Sequence, residues 1–183
     1  MNVNWTEVND LDAKLLARVD LTPLAPELVA GDEELVDLAE QHNADLAELK
    51  DRFSSLAEER RFMAGADDIH RDIRRRIHGH HLIMATWDLL ASLHELLDVR
   101  QGILRYMQSR LADRVSGLAR RRHQLLSAAT TRIDNHEPLA DLHDQIAVRE
   151  SAIRRLCALR HRAGTDQQVV TARWEEARGL PHR

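Results

Sequence analysis

Apolar residues recur along most of this chain at steps of three and four, the period of one face of an α-helix. Val8, Leu11, Leu15, Leu16 and Val19 predict a first helix from about Thr6 to Val19, with Thr6 as its N-cap. Pro23 and Pro26 cannot continue it. Asp32 predicts the N-cap of a second helix, with Glu33 and Glu34 in its first turn, where the helix dipole favours anions. Its seam positions are Leu35, Leu38, His42, Leu46, Leu49, Phe53, Leu56 and Met63. That spacing predicts a coiled-coil seam with a stutter, ending near Gly65.

A third pattern begins at Asp67 or Asp68 with Ile69, Ile73, Ile77, His80, Met84, Trp87 and Leu90. It resumes at Leu104, Met107, Leu111, Val115, Leu118, Arg122 and Leu125. A break or kink is expected near Gln101 and Gly102. Between Leu82 and Leu97 the pattern is apolar on nearly every side, as in the middle of a bundle or at an interface. Asp134 to Pro138 reads as a stop and restart. Leu139, Leu142, Ile146, Arg149, Ile153, Leu156 and Arg160 then keep heptad spacing up to Gly164, a natural stop. Thr165 or Asp166 is the expected cap of a last short helix through Val169, Val170 and Trp174.

These patterns predict an all-α fold of long amphipathic helices, arranged as an antiparallel coiled-coil hairpin or an elongated helical bundle. Three sections follow from the breaks. Residues 1–31 form an N-terminal helix and connector, 32–133 a long-helix core, and 134–183 a C-terminal heptad helix with a short terminal helix. Within the core, 32–63 is the acidic helix and 67–133 the apolar and basic helix or helices. Composition agrees: aromatics are 3 % of residues, charged residues 31 %, and prolines number four. The single cysteine, Cys157, excludes an intrachain disulfide and a multi-cysteine zinc site, and reads as a small apolar residue near a seam. Met1 to Asp20 lacks the apolar core of a signal peptide. No stretch has the length and apolarity of a membrane span, so a cytoplasmic chain without membrane contact is expected.

Charge is segregated. Asp32 to Glu59 carries ten Asp and Glu residues against Lys50 and Arg52, whereas Val99 to Ile133 carries eight arginines against Asp113. Pairing between these two helices is the simplest reading. The alternative is phosphate binding by the Arg-rich segment 99–133, with Arg74, Arg75, Arg120 and Arg121 as nucleic-acid candidates. Successive arginines spread around a helix and do not form a stripe, and Tyr106 is the lone aromatic nearby, which weakens that alternative.

His78, His80 and His81 suggest a metal-binding bundle as a further alternative. His78 and His81 lie one turn apart and would need a carboxylate from another helix. His42 and His80 fall on predicted seams, where polar residues fix register and would respond to pH between about 5 and 8. No nucleophile elbow, P-loop or dinucleotide fingerprint is present, so neither catalytic residues nor a cofactor are expected. The expected function is that of a non-enzymatic scaffold, adaptor or chaperone-like protein, self-associating or holding a protein partner. The candidate contact residues are Trp87, Leu90, Leu93 and Leu97 in the apolar centre, and Leu139, Leu142, Ile146, Ile153 and Leu156 on the heptad face. Trp5 and Trp174 are candidate anchors near the ends.

Overall fold

In a computed structural model the described residues are all-α. They are 3–29, 31–65, 68–128 and 136–179, with the side chains of 68–77, 128, 136 and 137 excluded. Four helices follow one another: α1 (Trp5–Arg18), α2 (Glu33–Ala64), α3 (Asp68–Ala128) and α4 (His136–Arg178). A 3₁₀ turn, Pro26–Val29, lies between α1 and α2. Gly31 follows it with φ of 87°, a left-handed conformation that favours glycine.

Several predicted boundaries move. Asn4, not Thr6, caps α1, its side chain accepting the Glu7 N–H at 3.3 Å. α3 runs unbroken through Gly102, and α4 runs unbroken through Gly164. A helical glycine costs about 1 kcal/mol. Flanking buried side chains such as Arg100, Ile103 and Leu104, or Ala163 and Asp166, hold the helix through each glycine. Each fully buried leucine-sized side chain contributes about 1.5–3 kcal/mol, which outweighs that cost.

The buried residues of α2 form one stripe: Leu35, Ala39, His42, Leu46, Leu49, Phe53, Leu56, Arg60 and Met63. The steps alternate four and three without interruption, so there is no stutter. Leu38, predicted for the seam, is exposed, and Ala39 takes its place. The other helices keep the same rhythm, with Val8, Asp12, Leu15 and Val19 at α1 and its end, and Ala163, Asp166, Val170, Arg173 and Ala177 on α4.

Contacts group the chain into two compact units. The first contains residues 1–24, 40–100 and 162–183. Its core gathers Trp5, Leu15, Leu49, Phe53, Leu56, Leu82, Leu90, Leu93, Leu97 and Val170. Within that core lies a polar layer to which each helix contributes. The Asp12 carboxylate accepts Arg60 Nη1 at 2.7 Å on one oxygen. Its other oxygen accepts Arg173 Nε at 3.0 Å and Nη2 at 2.8 Å. Arg60 also donates to Asn9 Oδ1 at 3.0 Å and to Thr86 Oγ1 at 2.6 Å, and the Thr86 hydroxyl donates in turn to the Leu82 carbonyl. Arg60 is 1 % exposed and Thr86 0 %. Burial pulls the Arg60 pKa below its ordinary value, Asp12 opposes that pull, and Arg173 adds to it. Arginine stays charged even so.

The second unit contains residues 25–39 and 101–161. Its buried side chains are Val29, Leu35 and Ala39, then Ile103, Leu104, Met107 and Leu111 on α3, and Leu142, Ile146 and Leu156 on α4.

Removing one partner of a buried ion pair leaves an uncompensated charge, whereas replacing the whole set by apolar residues does not. The variant Asp12→Ala should therefore lose about 3–5 kcal/mol of unfolding free energy in urea titrations. An Asp12→Leu/Arg60→Met/Arg173→Met variant should lose far less.

Candidate interaction surfaces

A second polar layer occupies the first unit. Arg100 is buried on α3 and donates to the Thr22 carbonyl at 2.7 Å. Asp166 accepts the Asp20 backbone N–H at 2.9 Å. The residue predicted to cap a new helix thus satisfies the chain leaving α1. Asp20 in turn accepts the Thr22 N–H at 3.1 Å and the Thr22 hydroxyl at 2.6 Å. Burial raises the Asp20 pKa, but Thr22, Arg100 and Arg162 together outweigh it and hold the carboxyl below its usual range. Asn43 clamps Leu24, accepting its N–H at 2.7 Å and donating to its carbonyl at 2.9 Å.

His42 belongs to this layer. It is 2 % exposed, and neither ring nitrogen has a hydrogen-bond partner. Burial lowers its pKa to about 4, with Arg100 adding to the shift and Asp45 opposing it. The seam position predicted for His42 is correct, but its protonation lies below the range expected for an ordinary histidine. His80, by contrast, is exposed and lies off the seam. The burial on α3 follows Leu82, Thr86, Leu90 and Leu93.

His78 and His81 are exposed and border a groove of about 530 Å³ with Glu58, Glu59 and Phe62 of α2. Among the described residues, no three His, Cys, Asp or Glu side chains come together as metal ligands. Among the described residues, no helix is long and apolar enough to cross a membrane.

The apolar candidates divide by unit. In the first, Trp5, Leu90, Leu93 and Leu97 are buried in the chain's own core. Trp87 is half-buried and donates to the Ala177 carbonyl at 2.8 Å. Trp174 is half-buried too, with the Arg178 guanidinium 5.7 Å from its ring centre. In the second, Leu142, Ile146 and Leu156 are buried but Leu139 and Ile153 are only half-buried. Beyond Leu111 no described residue of α3 is fully buried: Val115, Leu118, Arg122 and Leu125 are half-covered. Leu126 is 52 % exposed and Val148 69 %.

Charged residues surround this half-covered seam. Asp32 pairs with Arg110 at 3.4 Å, so the acidic start of α2 meets the basic part of α3 there. Arg105, Arg120, Arg121, Arg154 and Arg155 are exposed, and among the described residues no ion pair or hydrogen bond holds them. Arg74 and Arg75 lie on α3, with side chains outside the described residues. Cys157 is exposed, not apolar core, and Gln108 Nε2 donates to its sulfur.

Sequence reasoning missed Asp12, Arg60, Thr86, Arg100, Asp166 and Arg173. The signal was present: each falls on the step of three or four set by its apolar neighbours. No protein-family model, curated protein or solved structure matches the chain.

A histidine held neutral has a pKa lowered in the folded state, so the unfolded chain binds more protons between pH 4 and 6.5. Stability is complete above that window and falls as pH drops through it, by on the order of 3 kcal/mol. Urea titrations from pH 7 to 4 should show this loss, and the His42→Leu variant should lack that component.

Proposed function

We propose that the chain is a non-enzymatic helical scaffold or adaptor that self-associates through the α3–α4 end of its second unit. The observation that carries this reading is the unequal cover of one continuous pattern. The seam of α3 is fully buried from Leu82 to Leu111 and half-covered from Val115 to Leu125. On α4, Leu139 and Ile153 are half-covered, and exposed Leu126 flanks the seam of α3. Half-covered residues at seam spacing are what a further helix packs upon. Completing the cover of each leucine-sized side chain would add about 1 kcal/mol.

We read α3 and α4 as an antiparallel coiled-coil pair. Two interactions inside the first unit support that direction: Trp87 bonds to the Ala177 carbonyl, and Arg100 attracts Asp166. As α3 advances, its partner position on α4 recedes. The buried ionisable groups support a structural role, because Asp12, Arg60 and Arg173 are engaged with one another.

Light scattering should give a mass above that of the 183-residue monomer, rising with protein concentration. Salt should strengthen this association, because it screens the arginines beside an apolar contact. Leu125→Glu/Ile153→Glu should give a monomer of unchanged helicity. A wild-type monomer at every concentration and salt would contradict the proposal.

The unpaired arginines favour one second reading, phosphate binding. Its salt dependence is opposite. Titration against duplex and single-stranded nucleic acid should then show binding at low salt that weakens steeply as salt rises, and that weakens in Arg120→Ala/Arg121→Ala. No binding at low salt rules this reading out.

A further inference from the structure

A groove of about 490 Å³ lies between α1 and α4 in the first unit. We infer that this groove is the docking site for an acidic amphipathic helix of a protein partner. The inference rests on the adaptor reading and supplies the partner's chemistry.

Two helical stripes form the walls. On α1, Leu11, Lys14, Leu15 and Arg18 follow one another at steps of three, one and three. On α4, Thr165, Val169, Ala172 and Glu176 advance at steps of four, three and four. Three turns of α4 therefore border a groove about 16 Å long at 1.5 Å per residue. That is the geometry in which a third helix lies between two others. The floor is apolar, with Leu15 buried and Leu11 and Val169 half-buried, and Ala172 leaves room for close approach.

Charge selects the occupant. Lys14 and Arg18 are exposed, and among the described residues neither has a partner. Arg173 also borders the groove. Its firm bonds go to Asp12, which already serves Arg60, so the buried set carries one positive charge in excess. Glu176, 3.9 Å from Arg173 and largely exposed, is the single carboxylate on the groove wall. Three cations against one anion suit glutamates flanking a row of leucines.

The test is fluorescence anisotropy on the full chain in the Leu125→Glu/Ile153→Glu background. The probe is a synthetic helix with leucines on one face and glutamates beside them. The same peptide with lysines is the control. The glutamate peptide should bind, the lysine peptide should bind about tenfold more weakly, and Lys14→Glu/Arg18→Glu should cause a similar loss. Gln168→Glu, a second exposed change at the groove, should weaken binding in the same direction. Equal binding of the two peptides, unchanged binding to the charge-reversed chain, or no binding at millimolar peptide would overturn the inference. Because the seam of the second unit is already disabled in this background, failure of self-association leaves the result readable, and the converse holds.

Discussion

One carboxylate, Asp12, accepts hydrogen bonds from two buried guanidiniums, and the packing of the first unit is organised around that fact. Asp12 comes from α1, Arg60 from α2 and Arg173 from α4, while Thr86 of α3 accepts from Arg60 Nη2. A neighbouring helix that slipped by one turn would leave a charge buried without a partner. Apolar side chains do not impose such a penalty, because leucine packs acceptably against many leucines. Polar residues at seam positions are known to fix register at some cost in stability, and this layer meets that description. The layer of Arg100, Asp166 and His42 adds a second fixed point, joined to the segment that leaves α1 through Asp20 and Thr22.

The same layers explain what was legible in the sequence. Helical periodicity located all four helices, because steps of three and four survive any arrangement of neighbours. The stutter expected in α2 came from following apolar residues alone. Ala39 is small and Arg60 charged, so neither stands out in an apolar pattern, whereas Leu38 does. Gly102 and Gly164 resemble stops because glycine has low helix propensity, and the burial on either side of each that outweighs it is not local. Asp166 looked like a cap because its true acceptor role serves Asp20, far away along the chain. Among surface candidates, heptad spacing identified Leu139 and Ile153, but spacing cannot say that they are half-covered while Leu142, Ile146 and Leu156 are buried. Trp5 illustrates the reverse: a tryptophan near a terminus resembles an anchor, and here it belongs to the core.

The distribution of cover links fold to function. In the first unit the apolar stripes of α1, α2, α3 and α4 contribute to one core, and Asp12, Arg60, Thr86 and Arg173 bond to one another within it. In the second unit the α3 pattern continues past Leu111 with no fully buried residue among those described, and among the described residues Arg120 and Arg121 have no partner. The proposed self-association rests on this contrast between a unit that covers its own seam and a unit that leaves its seam half-covered. The energy available there is modest for each side chain, but a seam of several such residues amounts to several kcal/mol, in the range of reversible association.

Hydrogen–deuterium exchange at two protein concentrations tests this division most directly. Amides of residues 49–63, 82–100 and 166–177, around the polar layers, should exchange slowly and identically at both concentrations. Amides of 112–127 and 139–155 should exchange faster in the dilute sample and gain protection in the concentrated one. Protection of 112–127 that equals that of the polar layers in the dilute sample, or that does not change with concentration, would contradict the account.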